Sequence, residues 1–208
     1  MNGLADSASV ADSISDSGIE LNLSPSDPAW LAAVLADFPA FLRDHASCEK
    51  KAAGMAMNIA SHYPDKPELL AAMADLAVEE TSHYREVIKL LISRGEAPGA
   101  DARDPYVGAM NQLIRKGPEF YLLDRLLVAS LIEARGQQRF AMIADAVQEA
   151  TLAKFYQAIA ASEARHWVLF AGLAERYFSR DLVRTRFAEL QRAEATLIAE
   201  QAPRAALH

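Results

Sequence analysis

Apolar residues recur along most of the chain at helical spacing, and strand-like runs that alternate Val, Ile and Thr are missing. A long helical pattern begins in the segment SPSDPAW, where Ser26 or Asp27 can cap a helix and Pro28 suits its first turn. It continues to about residue 61, where the two prolines of HYPDKPE end it, because proline cannot continue a helix. The pattern predicts an all-α fold.

A second helix is predicted from about Pro67 to Arg94, ending at Gly95, a residue suited to the left-handed turn after a helix. The loop GEAPGADARDPYVG follows, with a possible helical turn up to Lys116. A last helix is predicted over residues 181–201. Between the loop and this last helix, one continuous helix over residues 118–178 would be about 90 Å long.

We therefore expect a turn between about residues 143 and 150, although neither Gly nor Pro marks it. Asp145 and Gln148 resemble a capping box at which the next helix can restart. The chain then contains two helical hairpins followed by a C-terminal helix.

The composition predicts one soluble domain. The chain has 208 residues, 51% of them hydrophobic, which is enough to bury a sizeable core. Residues 1–24 are rich in Ser and Asp and are predicted to form a mobile arm, and residues 25–208 to form the domain. The single cysteine, Cys48, fits a reducing compartment. Because a secretory signal and a membrane-spanning apolar run of about 18 residues are missing, we expect a cytoplasmic protein without a membrane partner.

The net charge of −7 argues against a generic nucleic-acid binder, but the charge is unevenly distributed. Residues 1–100 carry 7 basic and 15 acidic side chains, and residues 101–208 carry 14 and 13. A local basic face in the second half is therefore possible. An ordinary solvated helix face, with acidic residues interleaved, explains the same pattern.

The motif Glu-x-x-His occurs twice, as Glu80 with His83 and as Glu163 with His166. Residues three positions apart share a helix face, so each pair can direct a carboxylate and an imidazole at one point. A bundle that binds two metals needs one further Glu from each of two other helices.

Counting residues on either side of each hairpin turn identifies these further glutamates. With turns near residues 65 and 146–149, the residues level with the two motifs are Glu49 and Glu133. The separations agree, because Glu49 precedes Glu80 by 31 residues and Glu133 precedes Glu163 by 30. We therefore predict a dinuclear metal site with six ligands: Glu49, Glu80, His83, Glu133, Glu163 and His166.

Buried carboxylates need cations, since each loses its hydration and repels the others. A set of four Glu and two His favours two iron ions, with manganese as second choice. Two irons that share bridging carboxylates can supply two electrons to dioxygen. His45, one turn before Glu49, is either a spare ligand or a residue that lies on the surface or contacts a ligand from behind, and the second is favoured.

Four segments carry a family resemblance: DHASCEKKAAGMAM, LAVEETSHYREVIKLLISRG, LIEARGQQRFAMIA and LAKFYQAIAASEARHWVLFAGLA. They resemble the bacterial tRNA hydroxylases that act on 2-methylthio-isopentenyladenosine, within the ferritin-like di-iron carboxylate superfamily. The similarity extends from about residue 26 to 200. It implies a ferritin-like four-helix bundle and an oxygen-dependent di-iron monooxygenase that hydroxylates the isopentenyl side chain.

The resemblance also implies partners, and the charge distribution supplies candidate residues for contact with tRNA. The partners are tRNA with a prenylated adenosine near the anticodon, dioxygen as co-substrate and an unidentified electron donor. Phosphate contacts are expected from basic residues of the second half. The candidates are Arg103, Arg115, Lys116, Arg180, Arg184 and Arg186.

Three alternatives use the same residues differently. A ferritin-like iron-oxidising or storage protein would turn over iron itself. A manganese catalase or peroxidase would consume peroxide without an RNA substrate. A structural bundle with fortuitous Glu and His would bind no metal.

Overall fold

The computed structural model describes residues 19–208, which fold into seven α-helices without a strand. The helices are α1 Pro28–Ala36, α2 Phe38–His62, α3 Pro67–Ser93, α4 Pro105–Gln112, α5 Tyr121–Ala146, α6 Ala150–Tyr177 and α7 Arg180–Glu200. The predicted all-α class is confirmed. Residues 1–18 of the predicted arm lie outside the described residues. Within residues 19–208, no helix combines the length and the apolarity that crossing a membrane requires.

The chain divides into two compact units, and the first comprises Asp27–Arg103 with Ala202–Leu207. Its main element is the hairpin of α2 and α3, which pack along each other, with α1 against α2. The indole nitrogen of Trp30 donates a hydrogen bond to the carbonyl of Ala206 at 2.8 Å. The backbone N–H of Leu207 donates to the carboxylate of Asp44 at 2.7 Å. These two bonds attach the segment 202–207 to α1 and α2.

The single long helix predicted from residue 28 to 61 is wrong, because the helix breaks at Asp37. The Asp37 carboxylate caps α2 by accepting a hydrogen bond from the N–H of Ala40 at 3.1 Å. Pro39 lies in the first turn of α2, where its missing N–H needs no partner within the helix. A cap and a proline at these positions favour a new start over continuation.

The second unit comprises residues 19–26, Asp104–Gln201 and His208. Its main element is the hairpin of α5 and α6, and α7 packs against both of these helices. The turn between α5 and α6 occupies residues 147–149, within the predicted interval. Both Val147 (φ −77°, ψ 137°) and Glu149 (φ −76°, ψ 111°) are extended, a conformation open to any residue, so the turn needs neither Gly nor Pro.

The capping box predicted for this turn is wrong. Asp145 remains within α5, and Glu149, which directly precedes α6, makes no side-chain cap hydrogen bond. Two other boundaries agree with the sequence: α3 ends beside Gly95, whose φ is 74°, and α7 covers the predicted last helix within one residue.

A buried polar network attaches residues 20–26 to α5 and α7. Arg135 on α5 is fully buried and donates to the Ser24 carbonyl at 2.8 Å. Gln191 on α7 donates to the Glu20 carbonyl at 3.2 Å and accepts from the Asn22 backbone N–H. Residues 20–24, which the sequence assigned to the arm, thus make specific hydrogen bonds to the second unit.

Candidate metal centre

The first unit contains one predicted triad of ligands, Glu49 on α2 with Glu80 and His83 on α3. Ligand atoms from all three residues lie within 4.8 Å of one another. His83 Nδ1 is 3.5 Å from Glu49 Oε2 and 3.7 Å from Glu80 Oε2. Both glutamates are buried, and a short turn after α2 brings Glu49 level with the Glu-x-x-His motif.

The close contacts within this triad shift the pKa values of Glu49 and His83. Burial by itself raises the pKa of Glu49, but hydrogen bonds with His45 and His83 outweigh it and lower the pKa to about 2. Burial by itself lowers the pKa of His83, but hydrogen bonds with Glu49 and Glu80 raise it to about 10. Without a bound cation, His83 would carry a proton that a metal ion can replace.

The second unit contains the other predicted triad, Glu133 on α5 with Glu163 and His166 on α6. Its ligand atoms also lie within 4.8 Å of one another, and all three residues are buried. His166 Nδ1 is 3.6 Å from Glu163 Oε2 and 3.9 Å from Glu133 Oε2. Ser130 Oγ donates to the Trp167 carbonyl at 2.8 Å, which links α5 and α6 close to this triad.

The two triads repeat one arrangement. In each, a Glu-x-x-His motif and a Glu from the preceding helix place two carboxylates against the Nδ1 atom of an imidazole. Two carboxylates and one neutral imidazole match the charge of one divalent cation. Oxygen and nitrogen donors of this kind suit iron or manganese. Each triad therefore has a donor set that fits one metal ion.

Each histidine also contacts the side chain one turn before it through its other nitrogen. His83 Nε2 is 4.0 Å from Glu79 Oε1, and His166 Nε2 is 3.4 Å from Ser162 Oγ. Such outer partners orient a ligating imidazole. The sequence analysis missed both residues, although the shared offset of four positions was a signal that could have found them.

Two of the six predicted tRNA-binding residues converge on a buried carboxylate. Asp124 is fully buried and accepts hydrogen bonds from Arg115 Nη2 at 2.7 Å and from Arg186 Nη2 at 2.9 Å. The Arg115 guanidinium also lies 4.3 Å from the centroid of the Phe120 ring. Arg186 also donates to the Leu113 carbonyl at 2.7 Å. These two arginines have a structural role that the sequence did not predict.

The other four predicted residues lie on exposed positions: Arg103, Lys116, Arg180 and Arg184. Three of them belong to the second unit, and Arg103 belongs to the first.

The chain is similar to known tRNA hydroxylases. A model of the family described as tRNA-(MS[2]IO[6]A)-hydroxylase (MiaE) matches residues 17–208. The chain is 35% identical over 153 residues to the tRNA 2-(methylsulfanyl)-N(6)-isopentenyladenosine(37) hydroxylase of Pseudomonas putida, covering 74% of each protein. It is 30% identical over 115 residues to the protein of that name from Salmonella typhimurium, covering 55% of this chain and 42% of the relative.

A solved structure agrees with the fold. It is described as protein 43 with aldehyde deformylating oxygenase activity from Synechococcus, and it matches with a TM-score of 0.87 and 34% identity. The match covers 91% of this chain and 96% of the solved one. The predicted ferritin-like class is confirmed.

Proposed function

The chain belongs to the tRNA-(MS[2]IO[6]A)-hydroxylase family, and on that premise we propose that it hydroxylates the isopentenyl side chain of 2-methylthio-isopentenyladenosine in tRNA. In this reaction one oxygen atom of dioxygen enters a C–H bond. The other leaves as water, after an external donor has supplied two electrons and two protons. A tRNA substrate also implies a cytoplasmic enzyme.

The repeated triad is the observation that supports this chemistry most directly. Two iron ions are the metals expected, one associated with each triad. The residues that would hold them are Glu49, Glu80, His83, Glu133, Glu163 and His166. When bound, such a pair of irons supplies the two-electron reduction of dioxygen that attack on an unactivated C–H bond requires.

The protein's own groups prepare the site for the metal. His83 must release the proton that Glu49 and Glu80 now stabilise, because a metal-bound imidazole presents the nitrogen lone pair. Ser162 Oγ, at 3.4 Å from His166 Nε2, helps to orient that ring so that Nδ1 faces the carboxylates. The Glu79 carboxylate, at 4.0 Å from His83 Nε2, acts on the other ring through its charge and not through a hydrogen bond. The carboxylate of Glu49 remains ionised down to a pH of about 2.

Binding of tRNA by a protein of net charge −7 requires a local basic surface. We propose phosphate contacts from Lys116, Arg180, Arg184 and Arg103, which are all exposed. Arg115 and Arg186 contribute less, because Asp124 holds both guanidinium groups. Affinity for tRNA should therefore fall as the salt concentration rises.

The family membership disfavours the alternatives of iron storage and peroxide disproportionation, neither of which uses an RNA substrate. A purely structural bundle is disfavoured by the repeated triads.

The test combines tRNA nucleoside mass spectrometry with iron analysis. Cells that lack the protein should accumulate the prenylated nucleoside, and wild-type protein should restore the hydroxylated form. Glu80→Ala or Glu133→Ala should lose both iron and activity, whereas the matched control Glu68→Ala, exposed on the same helix as Glu80, should keep both. An unchanged nucleoside ratio would refute the substrate. Full iron content in Glu133→Ala would refute the ligand set.

A further inference from the structure

His45 is a buried histidine that the proposed ligand set does not include. Its side chain is fully enclosed, and its Nε2 atom lies 2.6 Å from Glu49 Oε1, one helical turn further along α2. An ionised carboxylate can only accept hydrogen bonds, so the Nε2 atom of His45 must carry the proton. A nitrogen that donates this proton cannot ligate a metal at the same time.

The two carboxylate oxygens of Glu49 have different partners. Oε1 accepts the hydrogen bond from His45, whereas Oε2 faces His83 Nδ1 at 3.5 Å. We propose that His45 is a positioning residue that fixes Glu49 so that Oε2 alone is presented to the metal of the first triad. This inference rests on the proposed function, because it requires the first triad to bind a metal.

The second triad offers an internal comparison. The position one turn before Glu133 is Ala129, whose side chain cannot donate a hydrogen bond, so the arrangement at His45 is not repeated there. The outer contacts of the two histidines also differ, being a carboxylate at His83 and a hydroxyl at His166. The two triads should therefore bind metal with different affinities, and a change at His45 should affect one of them.

The experiment titrates the full-length, metal-free protein with cobalt(II) and follows the visible absorption of each bound equivalent. His45→Gln keeps an amide N–H that can reach Glu49, His45→Asn carries the same amide on a shorter side chain, and His45→Met fills similar volume without a donor. His62→Gln, on an exposed position of α2, is the matched control. Thermal unfolding of each variant measures any loss of stability separately.

The Gln variant and the control should retain both binding steps and both sets of absorption bands. The Asn and Met variants should lose about 10- to 100-fold in affinity for one equivalent, the usual effect of removing an outer partner of a metal ligand, and retain the other. A residue that only fills the core would lower stability without this selective loss.

Two results would overturn the proposal in distinguishable ways. If the Asn variant bound both equivalents as wild type does, the hydrogen bond to Glu49 would have no role in metal binding, and the proposed metal centre would stand. If wild-type protein bound no cobalt, both the metal centre and the role of His45 would be refuted.

Discussion

Replacement of Arg135 by methionine should be among the most destabilising single changes outside the metal centre. Arg135 and Glu194 are both fully buried and joined by two hydrogen bonds, Nε to Oε1 at 2.8 Å and Nη2 to Oε2 at 3.0 Å. The Tyr106 hydroxyl donates to the same carboxylate at 3.0 Å, and Arg135 Nη1 donates to the Ser24 carbonyl. One guanidinium therefore connects α5, α7 and the segment before α1.

The expected loss of stability depends on the buried groups that the substitution leaves without a partner. Methionine fills most of the volume, so the main cost is the Glu194 charge, buried with Tyr106 as the remaining described donor to its carboxylate. Removing one partner of a buried ion pair costs about 3 to 5 kcal/mol, and we expect a loss in this range. The double variant Arg135→Met with Glu194→Gln removes both charges and leaves an amide oxygen for Tyr106. It should recover most of the loss.

Urea unfolding followed by circular dichroism measures both effects, as a shift of the midpoint at an unchanged slope. Arg192→Met, an exposed arginine on α7, is the matched control and should change the unfolding free energy by no more than about 0.5 kcal/mol. The reasoning fails if Arg135→Met costs no more than this control, or if the double variant is as unstable as the single one.

Four further predictions concern charge. Because the pKa of His83 is about 10 in the metal-free protein, metal binding should release a proton, and the apparent metal affinity should increase up to roughly tenfold for each pH unit as the pH rises toward 10. Calorimetry in buffers of different ionisation enthalpy measures the released proton, and a pH-independent affinity would contradict the prediction. In the metal-free protein that proton stabilises the fold below pH 6.5, and the contribution is lost as the pH rises toward 10. Arg186→Glu should cost about 3 kcal/mol, because it places a carboxylate beside buried Asp124. Arg184 is exposed, so Arg184→Glu should change the free energy of unfolding by no more than about 0.5 kcal/mol. It should weaken tRNA binding in filter-binding assays. Equal stability of the two variants would show that Asp124 does not need Arg186.

The sequence predicted the triads because helical spacing and hairpin length are local quantities. Once the turns near residues 65 and 147 were placed, counting residues identified Glu49 and Glu133. The break at Asp37 was missed because Pro39 is compatible with a helix start as well as a disruption, and only the cap decides between them. The role of Arg186 was missed for a different reason. Its partner Asp124 is 62 residues away, and only tertiary packing brings the two together.

The buried carboxylates fall into two groups with different means of charge compensation. Asp124 and Glu194 accept hydrogen bonds from arginines, whose permanent charge suits a structural pair. The glutamates of the two triads instead face imidazoles, whose charge can be withdrawn by losing a proton. With a neutral imidazole and two ionised carboxylates, a triad would carry two negative charges, which one divalent cation would balance. An arginine in place of either imidazole would compensate the charge permanently and leave no ligand atom for a metal. The presence of His rather than Arg therefore supports the proposal that the triads bind metal, whereas the arginine pairs hold helices together.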